Sequence, residues 1–340
     1  MARANSVKPS AYYMKYGLGK GWMGILFAVL MIITFGFAYN SVQSNTICLA
    51  WQKAFGFEPA TMGIVLTALT LLIIFGGIQR VAKFSSTVVP LMAIVYLLIA
   101  VGVVIWNITS LPKLLLTIIE NAFGFNQAAG GMLGITMIQG IKRGLFSNEA
   151  GEGSAPNAAA VATVSHPVKQ GLIQALGVFT DTLVVCSCTA FIILVSGVDV
   201  TASNGIQLTQ DALTHEIGSI GNPFVAVMIW LFAFSSIIGN YYYGETNVRY
   251  IKDSKLGVFI YRLAVAAMVM VGAVVSLDFA WSFADITMAL LTLCNLVAIV
   301  LLSRQAVFLL QDYRKQKKEG KNPVFKKDMM PEIADQLEAW

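Results

Sequence analysis

Polar side chains set inside apolar runs are the residues of this chain that could do chemistry. Asp181 lies near the middle of the run 170–196, between Thr180 and Thr182, with no basic residue in the same run. A carboxylate at that depth of a bilayer must be protonated, paired or bound to a cation. Ser235 and Ser236 sit mid-way along 222–243, with Asn240 one turn on. Their hydroxyls are hard oxygen ligands suited to an alkali cation, although serine pairs in helices also bond back to their own backbone. Asn40, Ser41, Gln43, Ser44 and Asn45 crowd the outer half of 22–47. They read equally as a binding stripe and as hydrogen bonds between helices. Glu245 and Asp285 stand at the ends of apolar runs and are expected at the membrane interface.

The stretch that organises the rest is GGMLGITMIQGIKRGLFSNEAGEGSAPN, residues 130–157. From Gly130 to Ile141 it gives about 18 Å of helix, against a bilayer core of about 30 Å. A short, glycine-interrupted segment of this kind is where a transporter exposes backbone groups to substrate and ions. Gly130/Gly134 and Gly140/Gly144 are also small-residue pairs that let helices pack closely, and the two readings are compatible. The expectation is a crossing element over 130–146 with irregular backbone near Gly130–Gly134.

Elements must position these residues. The chain is 57% hydrophobic and 12% charged, about half the charge of a soluble domain, which makes it an integral membrane protein. The apolar runs 22–47, 61–78, 86–106, 170–196, 222–243, 255–277 and 282–303 are each near or above spanning length. The segment 112–124 reads as a surface helix or as the outer half of the broken helix, and 197–221 as turns with one short helix. Counting 130–146 as an eighth crossing places every Lys and Arg except Lys53 and Lys113 on one side. The positive-inside rule then puts both termini in the cytoplasm. The expected organisation is a cytoplasmic N-terminal segment 1–21, an eight-helix transmembrane domain 22–303 and a basic cytoplasmic tail 304–340. Eight of the 23 Lys and Arg residues lie in that tail, and the net charge of +5 is no nucleic-acid footprint. Cys48, Cys186, Cys188 and Cys294 read as free thiols, without metal-ligand spacing. His166 and His215 are expected in loops. No nucleophile–base spacing is present, so no catalytic residue is named.

Residues 143–160, RGLFSNEAGEGSAPNAAA, resemble the signature loop of the sodium:alanine/glycine symporters, the alanine or glycine:cation symporter family. YYMKYGLGKGW at 12–22, VQSN at 42–45, HPVKQGLIQALGVFTDTLVVC at 166–186, FAFSSIIGNYYYGE at 232–245 and NPVFKKD at 322–328 follow in the family's order. The resemblance implies an all-α LeuT-type inverted-repeat fold, of which this chain supplies all but the first three of eleven helices. It implies a secondary active transporter in the cell membrane, taking up alanine or glycine with Na+ as coupling ion and no other cofactor. Its partners would be the small neutral amino acid, Na+ and the lipid bilayer. By motif, Gln43, Gly134, Thr136 and Gln139 are the implied substrate-binding residues. Phe232 (through its carbonyl), Ser235, Ser236, Asp181 and Thr182 are the implied sodium ligands. A chain without the first broken helix is expected to leave Gln43, Thr136, Ser235 and Ser236 along an open cleft and not to transport by itself. The alternative reading is a non-transporting or regulatory membrane subunit.

Overall fold

Long apolar runs without β-branched alternation dictate helices, and helices are what form. The structure is a computed structural model describing residues 10–76, 78–122, 130–331 and 334, and no strand occurs among them. We name the helices α1 (Gly21–Phe55), α2 (Pro59–Gly76), α3 (Ile78–Trp106), α4 (Leu111–Ala122), α5 (Gly130–Asn148) and α6 (Ala155–Ala159). They continue as α7 (Pro167–Ser196), α8 (Ile206–Ile217), α9 (Gly221–Ile251), α10 (Lys255–Val274), α11 (Leu277–Leu301) and α12 (Ser303–Lys318). Among the described residues six stretches are long and apolar enough to cross a membrane. They are α1, α2, α7, the run Ile206–Ile251, α10 and α11. A seventh follows if Pro90–Trp106 is joined to Ile108–Ala122 across a 71° bend. That bend sets α4 at an angle to α3 and accommodates either reading of 112–124. The chain is therefore an all-helical integral membrane protein.

Local sequence sets the ends. Gly56 (φ 71°) and Gly197 (φ 66°) close α1 and α7 in the left-handed conformation that favours glycine. Ser254 and Ser276 cap α10 and α11 by accepting the amide protons of Gly257 and Phe279. Pi-helical turns interrupt two spans, Ile32–Tyr39 within α1 and Thr180–Cys186 within α7.

The core forms where α1, α9, α10 and α11 meet. Phe27, Met31, Phe35 and Tyr39 of α1 pack with Ala284, Met288 and Leu291 of α11. Ile47 and Cys48 pack with Phe234 and Ile237 of α9 and Val269 of α10. At Gly272 the helices α1 and α10 come so close that a Cβ would lie 2.5 Å from the Ser41 Cα. Here the polar cluster of α1 resolves into glue between helices. Ser44 donates to the Val269 carbonyl at 2.6 Å, and Asn45 donates to the carbonyls of Gly272 (3.1 Å) and Val275 (2.8 Å).

Four expectations are corrected or extended. The break expected at Gly130–Gly134 is absent, because α5 runs unbroken from Gly130 to Asn148. Glycine inside a helix costs only about 1 kcal/mol, too little to interrupt one that is otherwise favoured. Glu245, read only as interfacial, also proves to be buried within the protein and held by Arg249 at 2.7 Å and Arg262 at 3.4 Å, since a buried carboxylate demands partners. Of the two histidines expected in loops, His215 lies in helix α8, whereas His166 does sit in the loop before α7, where it is fully buried, caps that helix and meets Asp312 at 3.2 Å. The tail is not simply solvated. Phe325 is buried, its amide donates to the Ser165 carbonyl at 2.8 Å, and Lys169 reaches Asn322 at 2.6 Å.

Candidate functional site

The interruption that α5 does not contain comes directly after it. Between Asn148 and Ala155 the backbone turns through three left-handed residues, Glu149 (φ 53°), Gly151 (φ 85°) and Gly153 (φ 82°). Glycine takes this conformation freely. Glutamate does not, and strain of about 1–3 kcal/mol at such a residue persists only where surrounding structure enforces it, characteristically at functional sites.

That enforcement is visible. Ala150 donates its amide to the Asn148 side chain at 2.9 Å. Ser154 donates to Glu149 Oε2 and Ser10 to the Gly153 carbonyl. From α11, Asn295 donates to the Gly151 carbonyl at 2.8 Å while accepting from Tyr13. A Cβ at Gly153 would lie 2.7 Å from Phe27 Cζ, so α1 and α11 grip the break as closely as backbone permits.

Both pi-helical turns address this break. Tyr39, the last residue of the turn in α1, donates to Glu152 Oε1 at 2.8 Å, and Glu152 is 0% exposed. From the turn in α7, Asp181 accepts from Ser147 at 2.6 Å and Thr182 accepts from Asn148 at 2.8 Å. Pi turns occur often at functional sites. Phe146, in the last turn of α5, packs between Tyr39 and Trp281, each with ring centroids 4.6 Å away. Arg143 lies 4.0 Å over the Trp281 ring and pairs with Asp285, which Lys142 also meets at 3.3 Å. Asp285, expected at the interface, thus tethers α5 to α11.

The residues expected from sequence fall into three groups. Gln43 is half-buried on α1, four residues beyond Tyr39 and so on the same face of the helix. Gly134 and Thr136 lie in the part of α5 whose side chains are outside the described residues. Gln139 is exposed, and its ten-residue separation from Glu149 puts it about 15 Å down α5. Backbone groups near Gly134 are within a regular helix, so the free backbone is at 149–154 instead. Ser235 and Ser236 do converge with Phe232: both hydroxyls donate to its carbonyl, at 2.7 and 3.2 Å. This is the back-bonding arrangement, and it leaves each hydroxyl oxygen able to accept or ligate. Asp181 and Thr182 do not join that group, their partners being Ser147 and Asn148. Tyr39, Phe146, Glu152, Trp281 and Asn295 were not singled out from sequence. The one available signal was the spacing of Tyr39 to Gln43.

Over residues 7–327 the chain matches the sodium:alanine symporter family. It is 53% identical over 321 residues to the probable sodium/glutamine symporter GlnT of Bacillus subtilis, covering 94% of this chain and 67% of that protein. It is 51% identical to the amino-acid carrier protein AlsT of the same organism, covering 97% and 70%. It is 35% identical to the sodium/alanine symporter AgcS of Methanococcus maripaludis, covering 90% and 68%.

Proposed function

From the premise that the chain belongs to the sodium:alanine symporter family, a family of transporters and not of enzymes, we propose that it binds a small neutral amino acid, alanine or glycine, at the break after α5. Sodium-coupled amino-acid transport is the family's activity, Na+ is its coupling ion, and several apolar spans make the chain a multi-pass membrane protein. The observation that carries the finer reading is the interrupted backbone 149–154, held open by α1, α7 and α11.

A zwitterion needs acceptors for its ammonium and donors for its carboxylate. The last carbonyls of α5 have no partner within the helix and carry the negative end of its dipole, which suits the ammonium. Gln43, on the face of Tyr39, offers an amide donor to the carboxylate. The aromatic row Tyr39–Phe146–Trp281 leaves little room beside the break, which favours a small side chain. Phe232, Ser235 and Ser236 supply the sodium site in this reading. Asp181 and Thr182 hold the end of α5 instead. The LeuT-type arrangement, the cell-membrane location and the cytoplasmic termini are part of the same proposal, supported by the distribution of Lys and Arg and by the position of the break.

A second reading, glutamine as substrate, is favoured by the relative named for it at 53% identity. The test is uptake into vesicles containing the full chain under a sodium gradient, and uptake there is the outcome that sets aside the expectation that the chain does not transport by itself. Alanine and glycine are expected to compete with each other for uptake, with glutamine a weak competitor. Strong competition by glutamine would assign the second reading, and no uptake above empty vesicles would overturn transport by this chain.

A further inference from the structure

The break carries two carboxyls, Glu149 and Glu152, and the transport reading uses neither; Glu149 accepts from Ser154, and Glu152 is the more deeply isolated. It is completely buried, and its Oε1 accepts from Tyr39 at 2.8 Å. Among the described residues no donor reaches Oε2, which is buried as well. No ion pair joins Glu149 or Glu152 among the described residues. The charged and titratable groups around them are unhelpful to a negative charge. Glu149 lies beside Glu152, Asp181 of α7 and Tyr243 of α9 face Glu149, and Asp285 of α11 faces Tyr39. Lys142 and Arg143, in the last two turns of α5, pair with Asp285.

An ionised Glu152 would leave a buried negative oxygen without a donor beside a second carboxylate, a costly arrangement for a buried charge. The neutral acid removes the charge and turns Oε2 into a donor, while Oε1 still accepts from Tyr39. We propose that Glu152 is a proton-carrying group, protonated on Oε2 while the break is packed against α1 and deprotonated when the break opens to water. The step balances simply: the O–H bond of the carboxylic acid breaks, the electron pair stays on Oε2, and the proton passes to water. Each opening and reclosing of the break then releases and recaptures one proton. The inference rests on the transport reading only for its link to coupling. The protonation state stands on the geometry alone.

Infrared spectroscopy of the full chain in lipid vesicles, titrated with pH, tests it. At neutral pH a protonated-carboxyl band is expected that moves when the chain is labelled with 13C-glutamate, does not depend on sodium and disappears in Glu152→Gln. Tyr39→Phe, which removes the donor to Oε1, should displace the band without abolishing it, as should Glu152→Asp. Should Glu152→Gln fail to fold, the 13C shift and the two displacing variants carry the test. A band missing at neutral pH, surviving in Glu152→Gln, or appearing only when sodium is withdrawn overturns the proposal, the last because the carboxylate would then be holding a cation. Intact band behaviour with no sodium-driven uptake would overturn the transport reading and leave Glu152 as assigned.

Discussion

Two pi-helical turns converge on the same six residues of unwound backbone and its helical edge, and they are built in opposite ways. The turn in α1 is sunk in the core: Thr34, Phe35, Gly36, Ala38 and Tyr39 are all buried. The turn in α7 buries none of its residues. In the α1 span half of the most apolar window is buried, against 6% of that in α7. One turn is fixed by packing and the other mainly by two side-chain hydrogen bonds. Each such bond contributes about 0.5–1.5 kcal/mol net, whereas removing a buried aromatic from its packing costs about 3–5 kcal/mol. The side of the break held by α7 is therefore the side that lets go first, and the side held by α1 is the fixed frame.

The sharpest way to break this comparison is Gly153→Val, which attacks the fixed side. A side chain there must adopt φ 82° and meet Phe27 and Asn295 within 3 Å. Strain and overpacking together should cost several kcal/mol, about 1–3 from each, read as a large fall in the thermal midpoint in detergent. A midpoint within error of the unaltered chain would mean that α1 does not grip the break.

Tyr39→Phe comes next. It strips Glu152 of its donor and should destabilise by about 1–3 kcal/mol, the cost of an unsatisfied buried group. Asp181→Asn, which can still accept from Ser147, should cost less than half as much. Equal losses in the two variants would erase the distinction between the turns.

Ser236→Ala lies on neither turn. It should raise the sodium concentration for half-maximal amino-acid uptake about tenfold, equivalent to about 1.4 kcal/mol, while the thermal midpoint stays nearly constant. Asp181→Asn is expected to leave sodium dependence unmoved, and a comparable shift in that variant would return Asp181 to the cation site. The smallest effect is expected from Ser147→Ala, about 0.5–1.5 kcal/mol, seen as faster amide hydrogen exchange at 149–154 with the core unaffected.

How much of this could be read from residues alone varies by kind of signal. Runs of apolar residues announced the spans, because a bilayer imposes length and composition directly. The short helix at 206–217 and the bend before 111 were legible from turn residues and polarity. The break was misplaced by about twenty residues, since several glycines mark helix packing and interruption alike, and only the left-handed angles of Glu149, Gly151 and Gly153 separate the two. The polar cluster of α1 could not be divided on paper. Ser44 and Asn45 proved to be tethers to α10, while Gln43, next to them, stays uncommitted. Tyr39 and Glu152 were invisible as a pair because 113 residues separate them. The burial of Glu245 and His166 was not legible because Arg262 and Asp312 come from later helices, although Arg249, one turn on from Glu245 in α9, was within reach of a spacing argument.

The tail clip gives α7 a mechanical character. Its first residues are pinned by His166 to Asp312 and, just before it, by Ser165 to Pro323 and Phe325, and its last turns pack through Ile192 against α3 and α8, while the stretch between, which carries Asp181, buries no residue. A helix fastened at both ends and loose in the middle can bow. Asp181 rides about 22 Å from the pinned end at His166, fifteen residues along. A displacement of about 2 Å there is farther than the Ser147 and Asn148 hydrogen bonds can stretch before they part. A small torque at the tail would thus be geared into a discrete uncoupling at the break.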